Sequence, residues 1–133
     1  MLKLMIPYAP KPQGSKKAFV IKGRPVLVEA STGLKVRRAE FIAFIKSNLG
    51  GWITPTVDKP IAVLVEMVFE RPKTVKRQHM TTTPDVDKTG RFVLDVLTQS
   101  GVVTDDRQVT DLTLIKRYGA TNSTYIEVWE RND

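Results

Sequence analysis

The chain has no cysteine and a single histidine, His79. The first absence excludes disulfides, a thiolate zinc site and a cysteine nucleophile. The second excludes a histidine-rich metal centre. Any metal must therefore be held mainly by oxygen, which favours magnesium, manganese or calcium. No apolar run reaches the roughly 18 residues that suggest a membrane span. The opening stretch, Met1 to Pro10, is too short and too soon broken by prolines for a secretory signal. There are no repeats or low-complexity tracts either, and the 133 residues read as one domain, 1–133, with a core of its own.

What is present in excess is positive charge. Lys and Arg number 21 against 14 Asp and Glu, a net charge of +7. A basic protein without a membrane anchor suits nucleic acid as a partner, the plainer alternative being an ordinary basic surface. Against that background acids concentrate in two short stretches, Pro84-Asp85-Val86-Asp87 and Thr104-Asp105-Asp106-Arg107. They stand near the two ends of one predicted helix. Carboxylates about 4 Å apart repel by about 4 kcal/mol at an effective dielectric near 20. A fold that gathers several of them normally binds a cation or holds a shared proton. Ringed by positive charge, such a cluster fits a polyanionic substrate that meets a divalent metal: DNA or RNA.

Hydrophobic periodicity supplies the frame. Leu2 to Ile6 reads as a first strand, and Lys17 to Lys22 and Pro25 to Glu29 as a hairpin turning at Gly23-Arg24. Ser31 or Thr32 can cap a helix whose stripe is Leu34, Phe41, Ile42, Ile45 and Leu49, stopped by Gly50-Gly51. A long strand spans Ile61 to Glu70, with Ile61, Val63, Val65, Met67 and Phe69 on its apolar face. The polar stretch from Arg71 to Pro84 reads as a mobile loop. A second helix starts between Asp85 and Asp87 and ends at Gln99, burying Phe92, Val93, Val96 and Leu97. Val109 to Lys116 and Thr124 to Glu130 read as a final strand pair joined around Gly119. The expected class is α+β, a mixed sheet with two helices packed on it.

Plainer accounts of the acids exist. Asp85 or Asp87 could be an N-cap, and Asp105-Asp106 could be turn residues, so spacing alone leaves metal site and local structure equally open. Asp85-Val86-Asp87-Lys88-Thr89-Gly90 imitates the opening of an EF-hand loop, but the twelfth position, which should be Glu, is Val96. The acid-x-Lys pair of many restriction-type nucleases does not follow Pro84-Asp85. Arg91 lies four residues after Asp87 and four before Asp95, on one helix face, where it could neutralise charge developing on a phosphate. Lys88 could approach the same phosphate. Lys16, Lys17, Lys22, Arg24, Arg37, Arg38 and the loop residues Arg71, Lys73, Lys76, Arg77 and His79 are candidate phosphate contacts, with Lys116 a weaker one.

Across Pro84 to Leu97 and Val103 to Tyr118, and more loosely over Gly14 to Gly23, the sequence resembles the RusA family of Holliday junction resolvases. An Asp-x-Asp followed at this distance by Asp-Asp-x-Gln-Val is much more specific than either half. The resemblance implies a RusA-like homodimer that cuts branched DNA with Mg²⁺, Mn²⁺ being a possible substitute, in the cytoplasm of a bacterial or phage-infected cell. Position by position, the family's catalytic acids fall on Asp85, Asp87 and Asp106, with Asp105 beside the last. Its catalytic lysine falls on Arg91, and the Asn that often follows the second acid is Lys88, so the cation is Arg91 or Lys88. A non-catalytic nucleic-acid-binding module and a flap or fork nuclease are the alternatives.

Overall fold

The computed structural model describes residues 1–14, 16–29 and 32–132. In chain order it forms β1 (Leu2–Ile6), β2 (Lys16–Ile21), β3 (Arg24–Glu29), α1 (Leu34–Ser47), β4 (Ile61–Glu70), α2 (Val86–Gln99), a 3₁₀ turn (Asp106–Gln108), β5 (Val109–Gly119) and β6 (Ser123–Glu130). Four strands make a mixed sheet in the order β1-β6-β4-β5, and β2 and β3 form a separate hairpin. The class is α+β, as the periodicity predicts.

The alternation of each strand decides which face is buried. In β1, Leu2, Leu4 and Ile6 are buried while Lys3 and Met5 point to solvent. Val63, Val65 and Met67 of β4 and Ile126 and Val128 of β6 complete the same apolar face. Phe41 and Ile45 of α1 and Phe92, Val93, Val96 and Leu97 of α2 close over it. Phe41 and Phe92 meet edge to face with centroids 5.0 Å apart, which locks the two helices together at the centre of the core.

Three expectations are corrected. β5 and β6 are not a pair: both lie against β4, β5 parallel from Ile61↔Val109 to Glu70↔Gly119 and β6 antiparallel from Ile61↔Glu130 to Val68↔Ser123. β4 is apolar enough to occupy the middle of the sheet, so the link after Gly119 crosses over its end. Backbone N–H groups there bond into that link, Arg71 to the Gly119 carbonyl at 3.1 Å and Glu70 to the Asn122 side chain at 2.7 Å. Second, the hairpin turns at Lys22-Gly23, because φ of 51° and 75° at those residues suits the twist of a two-residue connection. Third, the N-cap of α1 is Gly33, whose φ of 70° gives a left-handed approach and no side-chain cap. Thr32 is therefore not the cap, and Ser31 lies outside the described residues.

The fold sets the direction of the helix that carries the first acidic stretch. Gly90, in the second turn of α2, lies so close to Leu114 in the middle of β5 that a Cβ there would clash with its methyl groups. At the other end the chain folds back tightly, Val102 N–H donating to the Leu97 carbonyl at 2.9 Å. α2 therefore runs antiparallel to β5, and the chain between them reverses beyond the C-terminal end of the helix.

Candidate active site

Asp85 occupies the N-cap position of α2, but its carboxylate makes no capping hydrogen bond. The Thr89 N–H and hydroxyl bond to its main-chain carbonyl instead, both at 3.2 Å. The cap reading of Asp85 therefore does not hold, and its side chain, exposed, faces Lys88 Nζ at 3.7 Å. Such an exposed pair is worth at most about 1 kcal/mol, which a divalent ion easily outcompetes. Asp87, in the first turn, is exposed with no hydrogen bond or ion pair among the described residues. The positive end of the helix favours both carboxylates.

The second acidic stretch divides differently. Asp105 is a structural cap: its Oδ1 accepts from Arg107 N–H at 2.9 Å, forming a capping box with Gln108. One of its two oxygens is thus engaged by the turn it starts, while Oδ2 lies 3.9 Å from the Arg107 guanidinium. Asp106, the first residue of that turn, is exposed and makes no such bond.

Gln108 holds the whole turn and was not singled out by its sequence. Only 4% exposed, it accepts from the N–H groups of Thr104 at 2.8 Å and Asp105 at 3.1 Å and donates to the carbonyls of Thr56 and Lys59, both at 3.0 Å. A Gln three residues after an Asp is the capping-box signature that could have revealed it. In the same loop the Thr56 hydroxyl donates to Asp58 at 2.5 Å and holds that carboxyl below its usual range. Gln108→Leu removes four hydrogen bonds and leaves two part-buried N–H groups and two carbonyls without their partner. Thermal or urea unfolding is expected to show a loss of about 3 kcal/mol; an unchanged unfolding midpoint would show that the turn holds itself.

The two stretches do not meet within one chain. They flank α2, whose 14 residues at about 1.5 Å rise place the acids on the order of 20 Å apart. Among the described residues, no three acidic or histidine side chains gather into a group able to hold a metal ion. Within the chain Asp85 and Asp87 stand at one end of α2 and Asp106 beyond the other.

A strap ahead of the hairpin crosses the acidic end of α2. Gln13 N–H donates to the Lys88 carbonyl at 3.0 Å, and its side-chain amide donates to Asp95 and accepts from Arg38 Nη2, the latter at 2.8 Å. Gly14, at φ 99°, lies against the Arg91 guanidinium with no room for a Cβ. Arg91 is exposed on the predicted face but forms neither of its possible ion pairs with Asp87 and Asp95, the second acid being engaged by Gln13.

The basic candidates separate into two groups. Lys22 and Arg24 at the hairpin tip and Arg71, Lys73, Lys76, Arg77 and His79 in the loop are exposed. Lys16 and Lys17 belong to β2 by their backbone. Arg37 and Arg38 are instead engaged within the chain. Arg37 donates to the Ala9 carbonyl at 2.5 Å, pairs with Glu40 at 3.3 Å and lies over the Tyr8 ring, while Arg38 holds Gln13. Lys116 is engaged too, its ammonium donating to the carbonyls of Thr82 at 2.6 Å and Pro84 at 2.9 Å. The loop is irregular as expected, yet its last residues are tied down: Met80 is buried, and the Thr82 and Tyr118 hydroxyls are 3.1 Å apart. No helix is long and apolar enough to cross a membrane among the described residues.

The family model described as Endodeoxyribonuclease RusA matches residues 7–129. No curated protein matches the chain.

Proposed function

This chain belongs to the RusA endodeoxyribonuclease family, and from that premise we propose that it resolves four-way DNA junctions with Mg²⁺, using two sites that are each completed across a homodimer. The observation that carries the reading is the placement of carboxylates that make no capping bond, Asp85 and Asp87 at one end of α2 and Asp106 beyond the other. Asp85 and Asp87 give a magnesium ion two carboxylates, with waters and a substrate phosphate to complete its octahedron, and an Asp106 brought alongside would add a third. A two-fold axis that sets two α2 helices antiparallel carries the Asp85 end of each towards the Asp106 end of the other. Two equivalent oxygen sites result at once, as paired incision of a symmetric junction requires.

The edge of the sheet suits such an axis. β5 pairs on one side only, leaving the backbone groups of its outer side unpaired in the sheet, and Leu112 and Ile115 along it are each 41% exposed. A long edge strand is a liability unless something covers it.

The donor set fits magnesium or manganese, being all carboxylate with no thiolate or imidazole. Asp85, Asp87 and the partner's Asp106 would hold the ion. When bound, it supplies positive charge at the scissile phosphate and makes a coordinated water a better nucleophile. Arg91, whose guanidinium lies against Gly14, neutralises charge that develops on the non-bridging oxygens. Lys88, with its ammonium 3.7 Å from Asp85, stands beside the same carboxylate and would offer a second positive charge to the phosphate. Hydrolysis leaves a 5′ phosphate and a 3′ hydroxyl. Phosphates flanking the cut are met by Lys16, Lys17, Lys22, Arg24, Arg71, Lys73, Lys76 and Arg77, so binding should weaken steeply with added salt.

The test is an assay on an immobile four-way junction with and without Mg²⁺. Paired, ligatable nicks that need the ion are expected. Binding without cutting in any divalent metal would refute the proposal, and faster cutting of a flap or fork would reassign the substrate.

A further inference from the structure

We propose that Lys116 is a positioning residue for the Asp85 carboxylate, acting through the main chain rather than on DNA. The proposal rests on the reading of Asp85 as a metal ligand. Lys116 pairs in register with Met67 of β4, a core residue, and so projects to the helix side of the sheet together with Leu114 and Tyr118. There its ammonium bridges the carbonyls of Thr82 and Pro84 at 2.6 and 2.9 Å. Both are charge-assisted hydrogen bonds, stronger than neutral ones. The Pro84 oxygen belongs to the same planar peptide unit as the Asp85 N–H. Holding that oxygen fixes the plane from which the Asp85 Cα projects, and with it the direction of the side chain.

Within the helix Thr89 holds the other side of the residue, the Asp85 carbonyl, so Lys116 and Thr89 fix the two peptide planes that flank its Cα. The Asp85 side chain does not cap α2, and its only side-chain partner among the described residues is the half-buried Lys88 at 3.7 Å. The Tyr118 and Thr82 hydroxyls, 3.1 Å apart, tie the same segment to the same strand one alternation further along. β5 thus aims Asp85 at one end of α2 while its first residues follow directly from the Asp106 turn. A lysine with its donors committed to two carbonyls is poorly placed to meet a phosphate. The same geometry would also be found if Lys116 served stability alone, and the ion affinity distinguishes the two.

The experiment compares wild type, Lys116→Met and Lys116→Arg, using Mn²⁺ binding followed by electron paramagnetic resonance and the Mg²⁺ concentration for half-maximal cutting. Junction affinity across a salt series without divalent ion and the thermal midpoint are measured alongside. Lys116→Met keeps the apolar stem and loses the ammonium, and is expected to weaken ion affinity about tenfold, the usual cost of removing a ligand's support. Its metal-free junction affinity and salt slope should match wild type. Lys116→Arg keeps the donors and is expected to recover most of the ion affinity, so it decides the matter if the methionine variant does not fold. Unchanged ion affinity in both variants, or a loss of junction affinity with a shallower salt slope, would overturn the proposal. If wild type itself neither binds Mn²⁺ nor needs Mg²⁺, the underlying site reading fails instead, and that result is distinct.

Discussion

Asp87→Asn is expected to abolish cutting, by about a thousandfold or more, while leaving junction binding intact or tighter. The substitution keeps the shape of the side chain and removes one negative charge from the first turn of α2. A hard divalent ion is held by anionic oxygen, and a neutral amide is a far weaker ligand. The fold has little to lose, because Asp87 is exposed and makes no hydrogen bond or ion pair among the described residues. Stability should stay within about 0.5 kcal/mol of wild type, as for other surface changes. Binding can improve because a carboxylate facing a phosphate repels it whenever no metal lies between them. Gel shifts in EDTA and a cleavage time course in Mg²⁺ separate the two quantities. Undiminished cutting would remove Asp87 from the site; lost binding with lost cutting would make it a contact or folding residue.

Much of the frame was legible because burial imposes simple periods. Leu2, Leu4 and Ile6 alternate as a half-buried strand must, and the Phe92 to Leu97 stripe identifies a helix that packs on one side. Strand order was not legible. That β5 and β6 both flank β4 is decided by which strand can tolerate the centre of the sheet, a property of the assembled core rather than of either segment. The turn at Lys22-Gly23 was misplaced by one residue because left-handed φ at a lysine leaves no mark in composition.

The site was legible in its acids and opaque in its geometry. A carboxylate that caps and one that ligates look alike in a sequence, and only hydrogen bonding separates Asp105, which caps, from Asp85, which does not. Residues acting through backbone groups are harder still. Lys116 reads as a cation near a strand end, and only its two carbonyl partners reveal a different task. Arg37 and Arg38 likewise count as basic surface until their partners at Ala9, Glu40 and Gln13 are seen. The separation of the two acidic stretches follows from the length of α2, once α2 and β5 are seen to run in opposite directions.

A shared site makes a demand that a self-contained one does not. Asp87→Asn and Asp106→Asn chains are each inactive alone under either arrangement. In a mixed dimer with shared sites, both lesions fall in one site, where the first chain gives its altered residue 87 and the second its altered residue 106. The other site receives Asp87 and Asp106 unaltered. If each site lay within one chain, both would carry a lesion. The mixed dimer is therefore expected to recover a single intact site, able to nick one strand of the junction but not to make the paired cut.

The most direct measurement is to co-express the two variants with different tags, isolate the mixed dimer by sequential affinity steps, and assay it on a labelled four-way junction in Mg²⁺. Substantial single-strand nicking, on the order of half the wild-type incision rate for one site of two, is the predicted result. A mixed dimer as inactive as either parent would contradict it and return the acids to a single chain.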